Sequence, residues 1–184
     1  MNIRGKICTL RAIEKSDLSM LRAIINDPDT ERLVVGWSFP VSSYGQEKWF
    51  ESLAGDANNQ RYIIETENDG AVGMATLTEI DWKNGAAFHG IKLANRPNRT
   101  KGLGTDAVMA IMRYAFDELH LHRLIGAWFD YNAPSKGLYT KCGWQVEGIS
   151  RESIYKNGRY HDLAMAAILA GDYYKLIEEN HYWD

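Results

Sequence analysis

The longest amphipathic pattern in the chain follows Gly104, where Val108, Ile111, Met112, Ala115, Phe116 and Leu119 recur at three- and four-residue spacing. That period puts them on one helical face, turned toward a core. Upstream, residues 7–12 read as a strand. Ser16 is placed to cap a helix carrying Leu18, Leu21, Ile24 and Ile25, and Asp27-Pro28-Asp29 reads as its end. Residues 34–40, broken by Gly36 and Pro40, read as a loop. Ser42 or Ser43 is placed to cap a second helix with Trp49, Phe50 and Leu53 on one side.

Residues 61–67 and 71–81 flank Asn68-Asp69-Gly70 as a hairpin, and Asn84-Gly85 turns the chain into a fourth strand at 86–93. After the long helix come a strand at 123–129 and a short helix at 133–142 that Gly143 stops. The runs 144–155 and 160–169 flank Asn157-Gly158, the strongest hairpin signal in the sequence, and 171–184 reads as a terminal helix. Strands in a hairpin series, then strands alternating with helices, predict an α/β (α+β) fold with a mixed sheet covered by helices.

Composition narrows this picture. A chain of 184 residues with 45% hydrophobic content buries one sizeable core, so a single domain over 1–184 is expected. A net charge of −3 with dispersed cations argues against nucleic acid. Cys8 and Cys142 lie far apart and outside any Cys-x-x-Cys pair, which predicts neither a disulfide nor a metal site. No basic leader precedes an apolar run, and no stretch approaches the ~20 apolar residues of a bilayer span. A cytoplasmic protein with no membrane association is expected.

The candidate chemistry centres on Arg99-Thr100-Lys101-Gly102-Leu103-Gly104, between the fourth strand and the long helix. Two glycines let successive N–H groups converge, and the helix start near Thr105 adds its positive dipole end, as an anionic diphosphate requires. An ordinary strand-to-helix turn is the alternative. The loop has neither the Gly-Lys-Ser/Thr of a Walker sequence nor the third glycine of a dinucleotide fingerprint. Downstream, Asn132-Ala133-Pro134-Ser135 leads into Leu138-Tyr139-Thr140-Lys141-Cys142-Gly143-Trp144.

Together these two segments resemble the GNAT superfamily of acyl-coenzyme A N-acyltransferases. The resemblance runs from about Val72 to Leu169, with Trp144 in place of the usual Phe. Asn157-Gly158-Arg159-Tyr160-His161-Asp162 is similar to the branch of spermidine N-acetyltransferases and ribosomal-protein N-terminal acetyltransferases. The resemblance implies the GNAT fold, a mostly antiparallel sheet flanked by helices, with the fourth and fifth strands splayed. It also implies acetyl-CoA as cosubstrate, with no metal.

As the resemblance has it, Arg99, Lys101, Gly102, Leu103, Gly104 and Thr105 bind the diphosphate, and a Cβ at Gly102 or Gly104 would obstruct it. Ile91, Leu93, Asn132 and Ser135 follow the pantetheine arm, and Tyr139 protonates the departing thiolate. Asn132 doubles as a helix N-cap. Relatives carry a Glu early in the fourth strand where this chain has Ala87-Phe88-His89, so Glu79 and His89 are the base or water-relay candidates. His120-Leu121-His122 finds no further ligand in the sequence and reads as a polar turn. Cys142 reads as packing.

The expected activity is transfer of acetyl to a primary amine by direct attack in a ternary complex. The acceptor is a small-molecule amine, a polyamine or a peptide N-terminus. A non-catalytic acyl-CoA-binding or regulatory module is the alternative, and a nucleotide-binding protein a third reading. Aromatics around Trp37, Phe39 and Trp49, with those of the C-terminal tail, suggest a homodimer.

Overall fold

A computed structural model of the chain describes residues 1–36, 39–94 and 101–184. In chain order the strands are β1 (Ile3–Arg4), β2 (Thr9–Arg11), β3 (Gln60–Thr66), β4 (Gly70–Asp81), β5 (Ala86–Leu93), β6 (Arg123–Phe129), β7 (Gln145–Lys156) and β8 (Arg159–Leu169). The helices are α1 (Leu18–Ile25), α2 (Pro28–Leu33), α3 (Ser43–Glu51), α4 (Leu103–Arg113), α5 (Ala133–Lys141) and α6 (Ala170–Asn180). One sheet carries all eight strands in the order β1-β2-β3-β4-β5-β6-β8-β7. Every neighbouring pair is antiparallel except β5 and β6.

That parallel pair positions the site. Its ladder joins only Ala86 to Arg123, Ala87 to Leu124 and Phe88 to Ile125, and then stops. From His89 to Leu93 and from Gly126 to Phe129 the facing edges have no strand partner in the ladder, so the two strands form a V open at their C-terminal ends. Backbone N–H and C=O groups on such edges need partners, which makes the V a receptor for an extended polar arm. The expected splay is the observed one; the fourth and fifth strands of the sequence reading are β5 and β6, because β1 precedes them.

Residues 3–11 form a small hairpin in place of the single predicted strand. Its turn closes on Asp106 of α4, whose carboxylate accepts the backbone N–H groups of Lys6, Ile7 and Cys8 at 2.8, 2.8 and 3.0 Å. A Cβ on Gly5 would lie 2.2 Å from Asp106 Oδ2, so only glycine lets the turn approach so closely. Asp106 is buried and also receives the Tyr182 hydroxyl at 3.3 Å.

α2 departs from expectation as well. Asp27 and Pro28 start a helix: Asp27 Oδ2 accepts from Thr30 N at 2.9 Å and Pro28 is the first helical residue. Proline's missing N–H costs nothing at that position, so one dipeptide both stops α1 and starts α2. Ser42 caps α3, accepting from Gly45 N at 3.0 Å, and that helix ends at Glu51, leaving Leu53 beyond it.

α4 buries far more than a stripe, with Leu103 and every residue from Asp106 to Met112 enclosed between the sheet and the remaining helices. It runs on into a wider π turn, Tyr114–Glu118, closed by Leu119 N on Tyr114 O at 3.2 Å. The C-terminal aromatics pack back onto this layer. Trp183 Nε1 donates to the Tyr173 hydroxyl at 2.9 Å, and the Arg113 guanidinium lies 3.9 Å from the Trp183 ring centre. Tyr173 is buried and Trp183 packs partly buried against the core, while Phe39 and Tyr174 stay exposed. Trp37 lies outside the described residues.

Candidate active site

At the open end of the V stands the N-terminus of α4. Gly102 is its cap, with φ +86° and ψ −6°, a left-handed conformation that favours glycine. Among the described residues no side chain caps the helix. Asp106 N bonds Gly102 O at 3.0 Å, and the first-turn carboxylate of Asp106 is turned away to residues 6–8. The N–H groups of Leu103, Gly104 and Thr105 therefore stand at the positive end of an eleven-residue helix. Among the described residues nothing lies within 4 Å of a Cβ built on Gly102, which is the room a ligand needs. This cradle fits a diphosphate.

Gly104 plays a different part from the one expected. A Cβ there would sit 3.5 Å from Leu138 and 3.6 Å from Leu93, facing inward between α5 and β5. The Cβ side of the position is a packing surface, while its N–H remains one of the three at the helix start. Lys101 is exposed beside the cradle, Leu103 is anchored in the core and Thr105 is half-buried. Arg99 lies outside the described residues.

Asn132 caps α5 with Oδ1, accepting from Ser135 N at 3.1 Å, while its Nδ2 donates to Leu33 O at 3.0 Å. One buried amide thus joins α5 to the end of α2. Ile91 and Leu93 lie half-buried on the unpaired stretch of β5.

Between the diverging strands sits a closed aromatic cluster. Tyr139 of α5 stacks on Trp128 of β6 at 5.2 Å between ring centres, meets Trp144 edge-on at 4.9 Å and His89 of β5 edge-on at 5.9 Å. Burial pushes the Tyr139 phenol above its ordinary range, so it stays protonated as an acid must. Trp144 fits because Gly126 has no side chain; a Cβ there would lie 3.1 Å from the indole. The indole N–H is directed at Met112 Sδ, 3.3 Å away.

His89 Nδ1 lies 3.0 Å from Thr76 O, which only a protonated Nδ1 can satisfy, so Nε2 carries the lone pair. Among the described residues, Nε2 is the one fully buried side-chain nitrogen or oxygen without a hydrogen-bond partner. Desolvation pulls the imidazole down to about 4, and it is neutral at pH 7. Glu79 is not brought here. It sits exposed on a bulge of β4 with φ +51°, its N–H on Asn59 Oδ1 at 3.0 Å. Cys142 is buried and its thiol is pushed up to about 12, which leaves it inert.

The end of α2, Tyr131 beyond β6 and the β7–β8 hairpin flank an open cavity of about 540 Å³ lined by Arg32, Leu33, Tyr131, Asn157, Arg159 and His161. Tyr131 OH donates to Arg32 O at 2.8 Å, and its ring stacks on Phe129 at 5.0 Å. Behind the cavity the Lys156 ammonium is buried against Glu31 Oε1 at 2.6 Å and the carbonyls of Glu31 and Val34 at 2.7 and 2.9 Å. Because Leu33 and Tyr131 flank the Asn132 link, this cavity adjoins the open V. Sequence reading missed it, apart from the Asn157-Gly158 turn (φ +51° and +80°) that presents Arg159.

A family model described as an acetyltransferase (GNAT) domain matches residues 10–165. The chain belongs to the GNAT acetyltransferase family. The crystal structure of spermidine N-acetyltransferase from Vibrio cholerae, in complex with CoA and spermine, superposes with a TM-score of 0.86 at 25% identity, covering 92% of this chain and 99% of that one. The spermidine N(1)-acetyltransferase of Vibrio cholerae serotype O1 is 27% identical over 168 residues, 90% of this chain and 94% of that protein. An uncharacterized N-acetyltransferase of Bacillus licheniformis is 30% identical over 169 residues, with the same coverage.

This GNAT chain is an N-acetyltransferase with acetyl-CoA as cosubstrate, which sets aside the non-catalytic module and the nucleotide-binding reading. Among the described residues no group of three His, Cys, Asp or Glu side chains is placed to hold a metal ion. Nor, among them, is any helix long and apolar enough to cross a membrane.

Proposed function

We propose that the chain acts as one catalytic domain over 1–184, moving acetyl to a primary amine by direct attack, with Tyr139 as general acid. Acetyl-CoA supplies an activated thioester. The backbone N–H groups of Leu103, Gly104 and Thr105, with Lys101 and Arg99, hold the diphosphate. The unpaired edge of β5 at Ile91 and Leu93, with Asn132 and Ser135, guides the pantetheine arm toward Tyr139. The observation that carries the reading is the placement of Tyr139, a protonated phenol enclosed between the parting strands.

His89, neutral and bare at Nε2, accepts a hydrogen bond in the relay that restores the proton of Tyr139. An imidazole near pKa 4 is too weak a base to deprotonate an alkylammonium near ~10.4, so the amine is captured neutral or loses its proton to solvent. Glu79, exposed on its bulge, takes no part in this relay. A homodimer has two exposed surfaces to draw on, the ring of Phe39 and the sheet edge β7 with Val146, Ile149 and Tyr155. Mass-spectrometric detection of acetylated product across a panel of primary amines tests the activity. Coenzyme A release without any acetylated amine would reject it.

A further inference from the structure

We propose that the acceptor carries an oxyanion close to its amine, and that Arg32 and Arg159 receive it in the cavity beside the V. The proposal rests on the acetyltransferase reading for its choice of cavity, and it names the chemical class of the acceptor. Both arginines line the cavity, and neither has a carboxylate within 4.0 Å among the described residues. Of the nearby acids, Glu31 is ion-paired with Lys156, and Asp130 Oδ1 accepts Tyr131 N at 2.8 Å.

Behind the wall the cations are crowded. Lys92 of β5 lies near enough to Lys156 that the two charges oppose each other, and burial with this repulsion holds the Lys92 ammonium below its ordinary range. The two arginines of the lining, backed by Lys92 and Lys156, stand beside the carboxylates of Glu31 and Asp130, and the excess of cations favours an anion. A polyamine would bring two or more ammonium groups into that field. An amine with a carboxylate or phosphate a few ångströms away meets guanidinium forks shaped for two-point contact with such groups.

Position agrees with charge. Leu33, beside Arg32, accepts from the Asn132 amide, and Tyr131 precedes that residue, so the cavity shares its wall with the arm-binding side of α5. An oxyanion seated between Arg32 and Arg159 would leave the amine of the same molecule free to reach into the V. His161 closes the floor, its Nε2 held 3.0 Å from Lys156 O and its ring edge-on to Tyr131 at 5.0 Å. This arrangement predicts a small acceptor, such as an amino acid or an amino sugar phosphate.

Calorimetric titration of the coenzyme A complex with matched ligands tests this without requiring turnover. The pairs are N-acetyl-L-phenylalanine with its amide, and glucosamine 6-phosphate with glucosamine; spermidine is the cationic control. The anionic member of at least one pair should bind about tenfold more tightly than its partner. The pair that shows this identifies carboxylate or phosphate. In the Arg32→Met/Arg159→Met variant the preference should vanish while coenzyme A affinity stays unchanged.

Equal affinity within both pairs, tighter binding of spermidine, or a preference that survives in the double variant overturns the proposal. A chain that prefers the anion yet acetylates no amine supports this site and rejects the transferase reading, so the two failures are distinguishable.

Discussion

The aromatic cluster in the V and the basic cavity beside it are neighbours joined through Asn132, yet they are built on opposite terms. The first is dry: Tyr139, Trp128, Trp144 and His89 are all buried, and His89 Nε2 is, among the described residues, the one fully buried side-chain nitrogen or oxygen without a hydrogen-bond partner. The second is open and charged, with Arg32 and Arg159 exposed around about 540 Å³ of space. Low dielectric strengthens hydrogen bonds and holds a phenol protonated, whereas discrimination between charged and uncharged acceptors needs cations within reach of solvent. The proposed reading accordingly gives chemistry to the dry side and recognition to the wet one.

The largest break in this contrast should come from Tyr139→Phe, which deletes one hydroxyl and keeps the ring stacked on Trp128. Single-turnover acetyl transfer should fall on the order of 10²–10⁴-fold where chemistry limits the rate, with acetyl-CoA affinity measured separately and little changed. Wild-type transfer would reduce Tyr139 to packing.

A second effect is read in stability against pH. The His89 pKa is lowered from 6.5 unfolded to about 4 folded, so between those values the unfolded chain binds more protons than the native one. Stability is therefore full above pH 6.5 and declines as pH falls toward 4, by about 3 kcal/mol if this group acts alone. Urea unfolding of wild type and His89→Asn at pH 7, 6, 5 and 4 should show the variant with the shallower slope. Parallel curves would mean that the imidazole is not held neutral by the dry cluster.

Asp106→Ala should cost about 3 kcal/mol in urea unfolding at pH 7, since it strips the partner from three N–H groups of the first hairpin. It sharpens the comparison from outside, because the same carboxylate, were it free, would oppose an anion at the α4 cradle. A loss below 0.5 kcal/mol would remove its anchoring role. The smallest effect is expected of Gly104→Ala. Its Cβ meets leucine carbons at ordinary contact distance, so stability and coenzyme A affinity should both stay within about 1 kcal/mol of wild type. A large loss of affinity alone would mean that the Cβ side of Gly104, and not only its N–H, faces the diphosphate.

How much of this was legible in the sequence follows the same divide. The dry side and the cradle are written in short runs, Lys101 to Thr105 and Asn132 to Trp144, whose spacing a single loop or helix converts directly into geometry. Alternation and hairpin signals likewise anticipate β3 to β8. The wet side gathers Arg32, Tyr131 and Arg159 from three distant segments, and no local pattern marks residues that meet only through folding. Asp27-Pro28 was read as a helix end because its stop and start signals coincide. Asp106 escaped notice because its partners, the backbone groups of residues 6–8, leave no trace in side-chain pattern. Gly126 was legible only once Trp144 was seen to need its space.

The division of labour is tested most directly by a double-mutant cycle on kcat/KM for a productive anionic amine, combining Tyr139→Phe with Arg159→Met. Independent roles predict that the combined loss equals the product of the single losses, to within about 0.5 kcal/mol, with the tyrosine change falling on kcat and the arginine change on KM. A double variant no worse than Tyr139→Phe alone would show that the two residues serve one step, and would contradict the account.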